Sequence, residues 1–295
     1  MPSGPLLFQS IVLGLLLGGL YALLAAGLTL YFGIMRVVMI AHSAFLILAA
    51  YLAWWSHDRF GLDPLVSMVV TVPLFFGAGV LLQRGLLARL RPLTLTMMSV
   101  LLTFAIALII EGLLGYAFTG TQRRIRLGYG TAGFEVFGAR IAVVKLIAFG
   151  LAALALAALY VLMKRTTFGW ALRATIQHRD AARLVGIDTE RVAGYGFGLG
   201  LATAAIGGTA LALDSTIYPS LHWHWIGPLM AIIVVGGLGS VPGAAAAAMV
   251  LGLLQSLLQI PMGATWAQTV FYLALFATLA VRPQGFFGGR LAQRF

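Results

Sequence analysis

Apolar residues run along this 295-residue chain in long uncharged blocks, without alternation and without a one-sided helical stripe. Residues 6–35 hold no charged side chain, and residues 141–162 are interrupted only by Lys145. About 20 helical residues cross the hydrocarbon core of a bilayer. A membrane strand would instead alternate polar and apolar positions. The pattern predicts an all-α integral membrane protein, a polytopic helical bundle of about 8–9 spans. The predicted spans are 6–32, 37–55, 65–83, 96–118, 141–162, 193–213 and 267–281, with a broken or re-entrant pair at 226–237 and 243–260. No internal repeat or low-complexity segment stands out. One membrane domain over 1–295, carrying a polar loop at 164–192, is the expected organisation.

Composition agrees. Charged residues are 9% of the chain, against about 25% in a soluble domain. A formal charge of +11 would suggest nucleic acid in a soluble protein. Here the basic residues lie between apolar runs, where they orient spans and meet anionic lipid. Three arginines in 84–92, six basic residues in 164–191, and Arg282, Arg290 and Arg294 in the tail fall on one side of the membrane if 226–260 crosses twice or re-enters. Those segments are expected in the cytoplasm, with the N-terminus outside. The first apolar run has no basic flank before it, and reads as a retained span rather than a cleaved signal. Loop 120–140 breaks the rule. Parity places it outside, yet it holds Arg123, Arg124, Arg126 and Arg140. Its charge serves either an acidic partner or simple solvation. The absence of cysteine excludes disulfides and thiolate metal sites.

The stretch 173–191, RATIQHRDAARLVGIDTER, packs seven of the 27 charged side chains into 19 residues. The pattern predicts a short amphipathic helix over 167–185. Gly186 suits a left-handed helix stop, and Asp188 or Thr189 suits the N-cap of the next span. Such an element either presents a rigid knob to a cytoplasmic partner or lies on anionic headgroups. A phosphate-binding loop needs Gly-Lys-Ser/Thr. The lysines, Lys145 and Lys164, follow Val144 and Met163, so ATP is not expected to bind this chain.

Four stretches in order resemble one family. FGWALRATIQHRDAARLVGIDTERV is similar to the cytoplasmic coupling loop of permease subunits in bacterial branched-chain amino acid ABC importers, the LivH type. The matching positions include Phe168, Gly169, Leu172, Arg173, Ala174, Gln177, Ala181, Ala182, Gly186, Ile187, Arg191 and Val192. GLYALLAAGLTLYFGIMRVVMIAHSAF resembles the family's first two spans, IVVGGLGSVPGAAAAAMVLGLLQSL its glycine-rich broken segment, and AVRPQGFFGGR its C-terminal tail. The resemblance implies a second homologous permease, two cytoplasmic ATPases that hold ATP and magnesium, and an external substrate-binding protein. No cofactor is expected on this chain. The resemblance assigns ATPase coupling to Arg173, Gln177, Asp180, Ala181, Ala182, Gly186 and Ile187.

Remaining features bear on the substrate path. In GGLGSVPG, glycines and a proline free backbone groups that hydrocarbon tolerates only if they are buried or hydrated. Gly236, Gly237, Gly239, Ser240 and Gly243 therefore either line the path or make a tight connection at the membrane edge. His42 and Ser43 are further path candidates. In the family the segment usually reads Ala-His-Gly-Glu, and Ser43 and Ala44 depart from it, which puts the family's polar contacts in doubt and points to a changed substrate. A packing histidine is the plain alternative for His42. Glu111 is the one carboxylate well inside a predicted span, expected to pair with an arginine of the neighbouring loop. His222 and His224 lack a third metal ligand nearby, and Tyr218, Trp223 and Trp225 read as an aromatic belt. An ion-coupled secondary transporter is the competing function. It would need more ionisable groups in the spans than Glu111 supplies.

Overall fold

The computed structural model of the protein describes residues 4–35, 37–90, 95–130 and 132–288. The helices among them are α1 (Gly4–Met35), α2 (Ala41–Phe60), α3 (Pro64–Gly85), α4 (Leu95–Phe118), α5 (Val143–Arg165), α6 (Thr167–Gln177), α7 (Arg179–Leu184), α8 (Thr189–Asp214), α9 (His222–Gly236), α10 (Val241–Ala267) and α11 (Thr269–Val281). Each predicted span coincides with a helix. Six are long and apolar enough to cross a membrane unaided: α1, α3, α4, α5, α8 and α10. The others fall short for visible reasons. α2 closes on His57, Asp58 and Arg59, while α9 has 15 residues and α11 has 13. Arg290 and Arg294, which entered the charge count, lie outside the described residues.

α8 is the hub, packed against α1, α2, α3 and α5. Its composition explains why. Gly194, Gly196, Gly198, Gly200, Gly207 and Gly208 remove side chains where neighbours come close. A Cβ on Gly208 would lie 2.2 Å from the Leu46 carbonyl oxygen, and one on Gly198 2.8 Å from that of Phe76. Small residues let helices approach in lipid, where dispersion replaces the hydrophobic drive. The α1–α10 seam repeats the device. A Cβ on Gly18 would lie 2.9 Å from Met249 Cα, and one on Gly252 2.7 Å from Gly18 Cα. Several span hydroxyls are satisfied within their own turn, as when Thr29 donates to the Ala25 carbonyl at 2.6 Å and Thr209 to that of Ala205 at 3.0 Å. α3, α4 and α5 are less enclosed, with 22%, 28% and 17% of their spans buried.

The loop expected at 120–140 holds structure that the pattern missed. β1 (Gly133–Val136) pairs antiparallel with β2 (Ala139–Ala142). Phe137 and Gly138 take φ of 51° and 75°, as a two-residue hairpin turn requires. This hairpin marks one end of the bundle. There Lys145 at the start of α5 forms an ion pair with Asp214 at the end of α8. α6 and α7 mark the opposite end, the one expected to couple.

Candidate functional site

At the coupling end the expected single helix is two. α6 begins where the Thr166 hydroxyl accepts from Gly169 N–H at 3.0 Å and donates to the Leu162 carbonyl at 2.6 Å. A Cβ on Gly169 would sit 2.3 Å from the Met163 carbonyl oxygen, so only glycine lets α6 fold back under the last turn of α5. Leu172 and Thr175 face inward and are buried, while Arg173 and Gln177 face out. The helix then breaks at His178, whose φ of −155° is extended. Its ring Nδ1 accepts from Ala181 N–H at 3.2 Å and caps α7. A histidine in this role carried no helix-start signal in the sequence, so 167–185 read as continuous.

The stop and restart follow expectation. Gly186 has φ of 85°, Gly186 N–H donates to the Arg183 carbonyl at 3.0 Å, and Ile187 N–H to that of Ala182 at 3.0 Å. The Asp188 carboxylate accepts from Glu190 and Arg191 N–H at 3.2 and 3.0 Å. Arg183 and Arg191 are spent internally. Arg183 Nε donates to the Thr189 hydroxyl at 2.9 Å, and Arg191 pairs with Asp188 at 2.8 Å. Of the coupling candidates, Arg173, Gln177, Asp180, Ala181 and Gly186 are exposed, Ile187 is half-buried and Ala182 is buried. Leu184 and Val185 are 89% and 76% exposed at the tip. The sequence signal for them was two apolar side chains directly before a glycine stop.

The glycine turn between α9 and α10 reaches the same end. Gly237 and Gly239 have φ of 97° and 85°, and the Ser240 hydroxyl accepts from Gly243 N–H at 3.2 Å. The carbonyls freed at the break are taken by the tail: Phe286 N–H donates to Val235 at 2.9 Å and Phe287 N–H to Gly236 at 3.3 Å. A Cβ on Gly243 would lie 2.1 Å from the Gly236 oxygen, and one on Gly237 2.3 Å from Gly288 N. A Cβ on Gly33, near the end of α1, would touch both Gly239 Cα at 3.5 Å and Ile176 of α6 at 3.6 Å. The turn and α6 thus meet across α1.

His42 and Ser43 open α2. The His42 ring is buried, its Nδ1 3.3 Å from the Tyr31 hydroxyl and the ring lying against the Leu24 carbonyl. The Ser43 hydroxyl donates to the Ile40 carbonyl at 3.2 Å. Both residues line a small hollow with Leu28, Met39 and Met230. The same three residues wall an apolar cavity of ≈ 160 Å³ that runs past Phe32 and Ile233 to Leu238 in the glycine turn. His42 and Ser43 therefore line the hollow and Leu238 of the glycine turn lines the adjoining cavity, while Gly236, Gly237, Gly239, Ser240 and Gly243 line neither.

At the hairpin end, Glu111 does not pair with a loop arginine. Its carboxylate accepts from Trp223 Nε1 at 3.1 Å and lies 3.7 Å from His222 Nε2. The 3₁₀ turn Pro219–Leu221 packs against α4, which brings His222 and Trp223 within its reach, while Arg123 is held elsewhere. The Arg123 guanidinium lies 4.8 Å from the centre of the Trp54 ring, and its backbone bridges Ile217. Trp225 is buried and Tyr218 half-buried, so of the expected belt only Trp223 is exposed. Among the described residues no three His, Asp or Glu side chains gather as a metal site. Outside the spans, the Tyr129 hydroxyl donates to Asp63 at 2.9 Å. Burial, with that carboxylate beside it, pushes the phenol up to about 12.

Comparison with known proteins adds a family to this geometry. Residues 10–279 match the family described as branched-chain amino acid transport system / permease component. The probable branched-chain amino acid transport permease protein LivH of Methanocaldococcus jannaschii is 27% identical, over 91% of this chain and 89% of that protein. The LivH permease protein of the high-affinity branched-chain amino acid transport system of Escherichia coli K12 is also 27% identical, over 95% of each. BraD of Pseudomonas aeruginosa is 24% identical over 95% of each. Among solved structures, PsaBC from Streptococcus pneumoniae in complex with Fab superposes with a TM-score of 0.51 at 13% identity, over 94% of this chain and 93% of that one. At that identity the likeness concerns the fold alone. With a family match over nearly its whole length and spans to suit, the chain is a multi-pass membrane protein that belongs to the branched-chain amino acid transport permease family.

Proposed function

We propose that this chain is the permease subunit of an ABC importer, moving branched-chain or related amino acids, or a small amide, inward by alternating access. The observation that carries the reading is the α5–α6–α7–α8 unit. Two short helices protrude between long membrane helices, and exposed Leu184 and Val185 form their tip. Two cytoplasmic ATPases, which bind ATP and magnesium, dock there on Arg173, Gln177, Asp180, Ala181 and the Gly186–Ile187 turn, with Ala182 packing the helix from within. Nucleotide-driven closure of the ATPases pulls on α6. That motion passes through Ile176 and Gly33 to the glycine turn, and so to the cleft between that turn and His42. A second homologous permease completes the path. An external binding protein delivers substrate at the hairpin end, where exposed Arg124 and Arg126 suit an acidic surface. On this reading the chain sits in the bacterial inner membrane, with its N-terminus outside and its C-terminus in the cytoplasm.

The test is reconstitution with the partner permease, the ATPases and the binding protein in liposomes. Leucine uptake that needs internal-side ATP and the binding protein supports the reading. Uptake that continues without ATP and follows a proton or sodium gradient overturns it.

A further inference from the structure

A groove of ≈ 340 Å³ opens on the flank of the bundle near the coupling end, away from the cleft at His42. Its walls are Phe76 of α3, Leu162 of α5, Phe168 of α6, and Tyr195 and Leu199 of α8. That volume lies at the lower end of ligand sites, roughly 300–1,000 Å³. The Tyr195 ring organises it, stacking on Phe76 with centroids 6.2 Å apart at 17° and meeting Phe168 edge-on at 6.1 Å. Arg84, in the last turn of α3, lies 5.7 Å from the centre of the same ring. It is exposed and pairs with no acidic side chain among the described residues. Beside it, Gln83 is buried with neither side-chain polar atom partnered. Both approach α8 at one point, since a Cβ on Gly194 would lie 3.2 Å from Gln83 Oε1 and 3.4 Å from Arg84 Nε.

The surroundings identify the depth. α3 and α5, which flank the groove, are the least enclosed of the candidate spans. Just beyond Leu162, Lys164 donates to the Tyr160 hydroxyl at 2.7 Å, and exposed Trp170 donates to the Lys164 carbonyl at 3.3 Å. Aromatic rings and lysine at helix ends mark the membrane–water interface. The groove therefore lies on the hydrocarbon side of that band, and Arg84 lies within it.

We propose that this groove seats an acyl chain of an anionic glycerophospholipid from the leaflet on the coupling-loop side, with its phosphate held by Arg84. The apolar walls suit hydrocarbon and offer a water-soluble solute no hydrogen-bonding partner beyond the Tyr195 hydroxyl. The guanidinium carries five donors in a rigid fork suited to phosphate, and its place against Tyr195 limits its freedom before the lipid arrives. Anionic headgroups gather where basic side chains border the membrane. A lipid held here touches α3, α5, α6 and α8.

The full chain, purified from membranes in mild detergent, is equilibrated with equal amounts of phosphatidylglycerol and phosphatidylcholine, and retained lipid is read by native mass spectrometry. Wild type should retain phosphatidylglycerol roughly fivefold over phosphatidylcholine, the worth of one basic residue at an anionic surface. Arg84→Gln should bring the ratio to near one. Leu199→Trp, which fills the groove and leaves Arg84 in place, should lose both lipids while its melting temperature holds. Equal retention of both lipids by wild type, or retention unchanged in Leu199→Trp, overturns the proposal. A photo-crosslinker at Leu162→Cys, in a chain with no other cysteine, gives a separate readout in native membranes. Capture of phospholipid supports the assignment. Capture of a protein subunit instead overturns it.

Discussion

Gly33 and Gly239 meet Cα to backbone across the end of α1, each so placed that a Cβ on either would lie 3.5 Å from the other's Cα. That spacing is ordinary van der Waals contact, so neither position lacks room. They differ in backbone. Gly239 has φ of 85°, in the left-handed region, while Gly33 is helical. Gly239→Ala should cost about 1–2 kcal/mol and Gly33→Ala nearly nothing in stability. Melting curves of the two purified variants separate them. Equal losses would mean that contact, not backbone conformation, governs the turn.

The coupling tip makes a second prediction. Leu184→Ser and Val185→Ser remove exposed apolar surface and touch no internal contact, so folding should be preserved. Together they should weaken capture of the ATPases by the permease and lower ATP-dependent uptake by roughly tenfold, as for loss of about 1.4 kcal/mol of docking energy. Ala182→Leu is a different experiment. Ala182 is buried, and overpacking it should cost about 1–3 kcal/mol in stability, read as a lowered melting temperature.

The cleft between His42 and Leu238 makes a third. Val234→Trp places a large ring in the ≈ 160 Å³ cavity. Uptake should fall at least tenfold or so, while assembly with the ATPases and basal ATP hydrolysis persist. Normal uptake in this variant would remove the cleft from the substrate path. Tyr31→Phe deletes the hydroxyl that faces His42 Nδ1, and should cost about 1 kcal/mol in stability.

Tyr129 and Asp63 make the last. The phenol is raised to about 12 in the folded chain, above its ordinary value of about 10. Its contribution to stability is therefore whole below about pH 10, and is lost as pH climbs toward the folded value. The melting difference between wild type and Tyr129→Phe should be flat from about pH 6 to 9 and shrink only above about pH 10. A difference that changes near neutrality would assign the effect to another group.

Much of this was legible along the chain. Gly186 as a helix stop and Asp188 as a cap rest on contacts within a few residues, and the structure holds both. The break at His178 was hidden because the cap is an imidazole, whose acceptor nitrogen is useful only once Ala181 N–H is presented to it. Glu111 was read against sequence neighbours, and found Trp223 and His222 because the turn before α9 lies beside α4. The hairpin at 133–142 was hidden because each of its strands is only four residues long.

Sequence alone determined that the chain crosses a membrane as helices, where those helices lie, and that the polar stretch before α8 ends in a glycine stop. These follow from bilayer thickness and from hydrogen bonds that close within one or two turns. Tertiary structure decided which glycines are contact points, that the tail satisfies the break after α9, and that the hollow at His42 and the cavity at Leu238 share the walls Leu28, Met39 and Met230. Those outcomes depend on approaches of a few ångströms between segments up to hundreds of residues apart. In lipid such approaches are set by which backbones can come closest, and no local pattern records that.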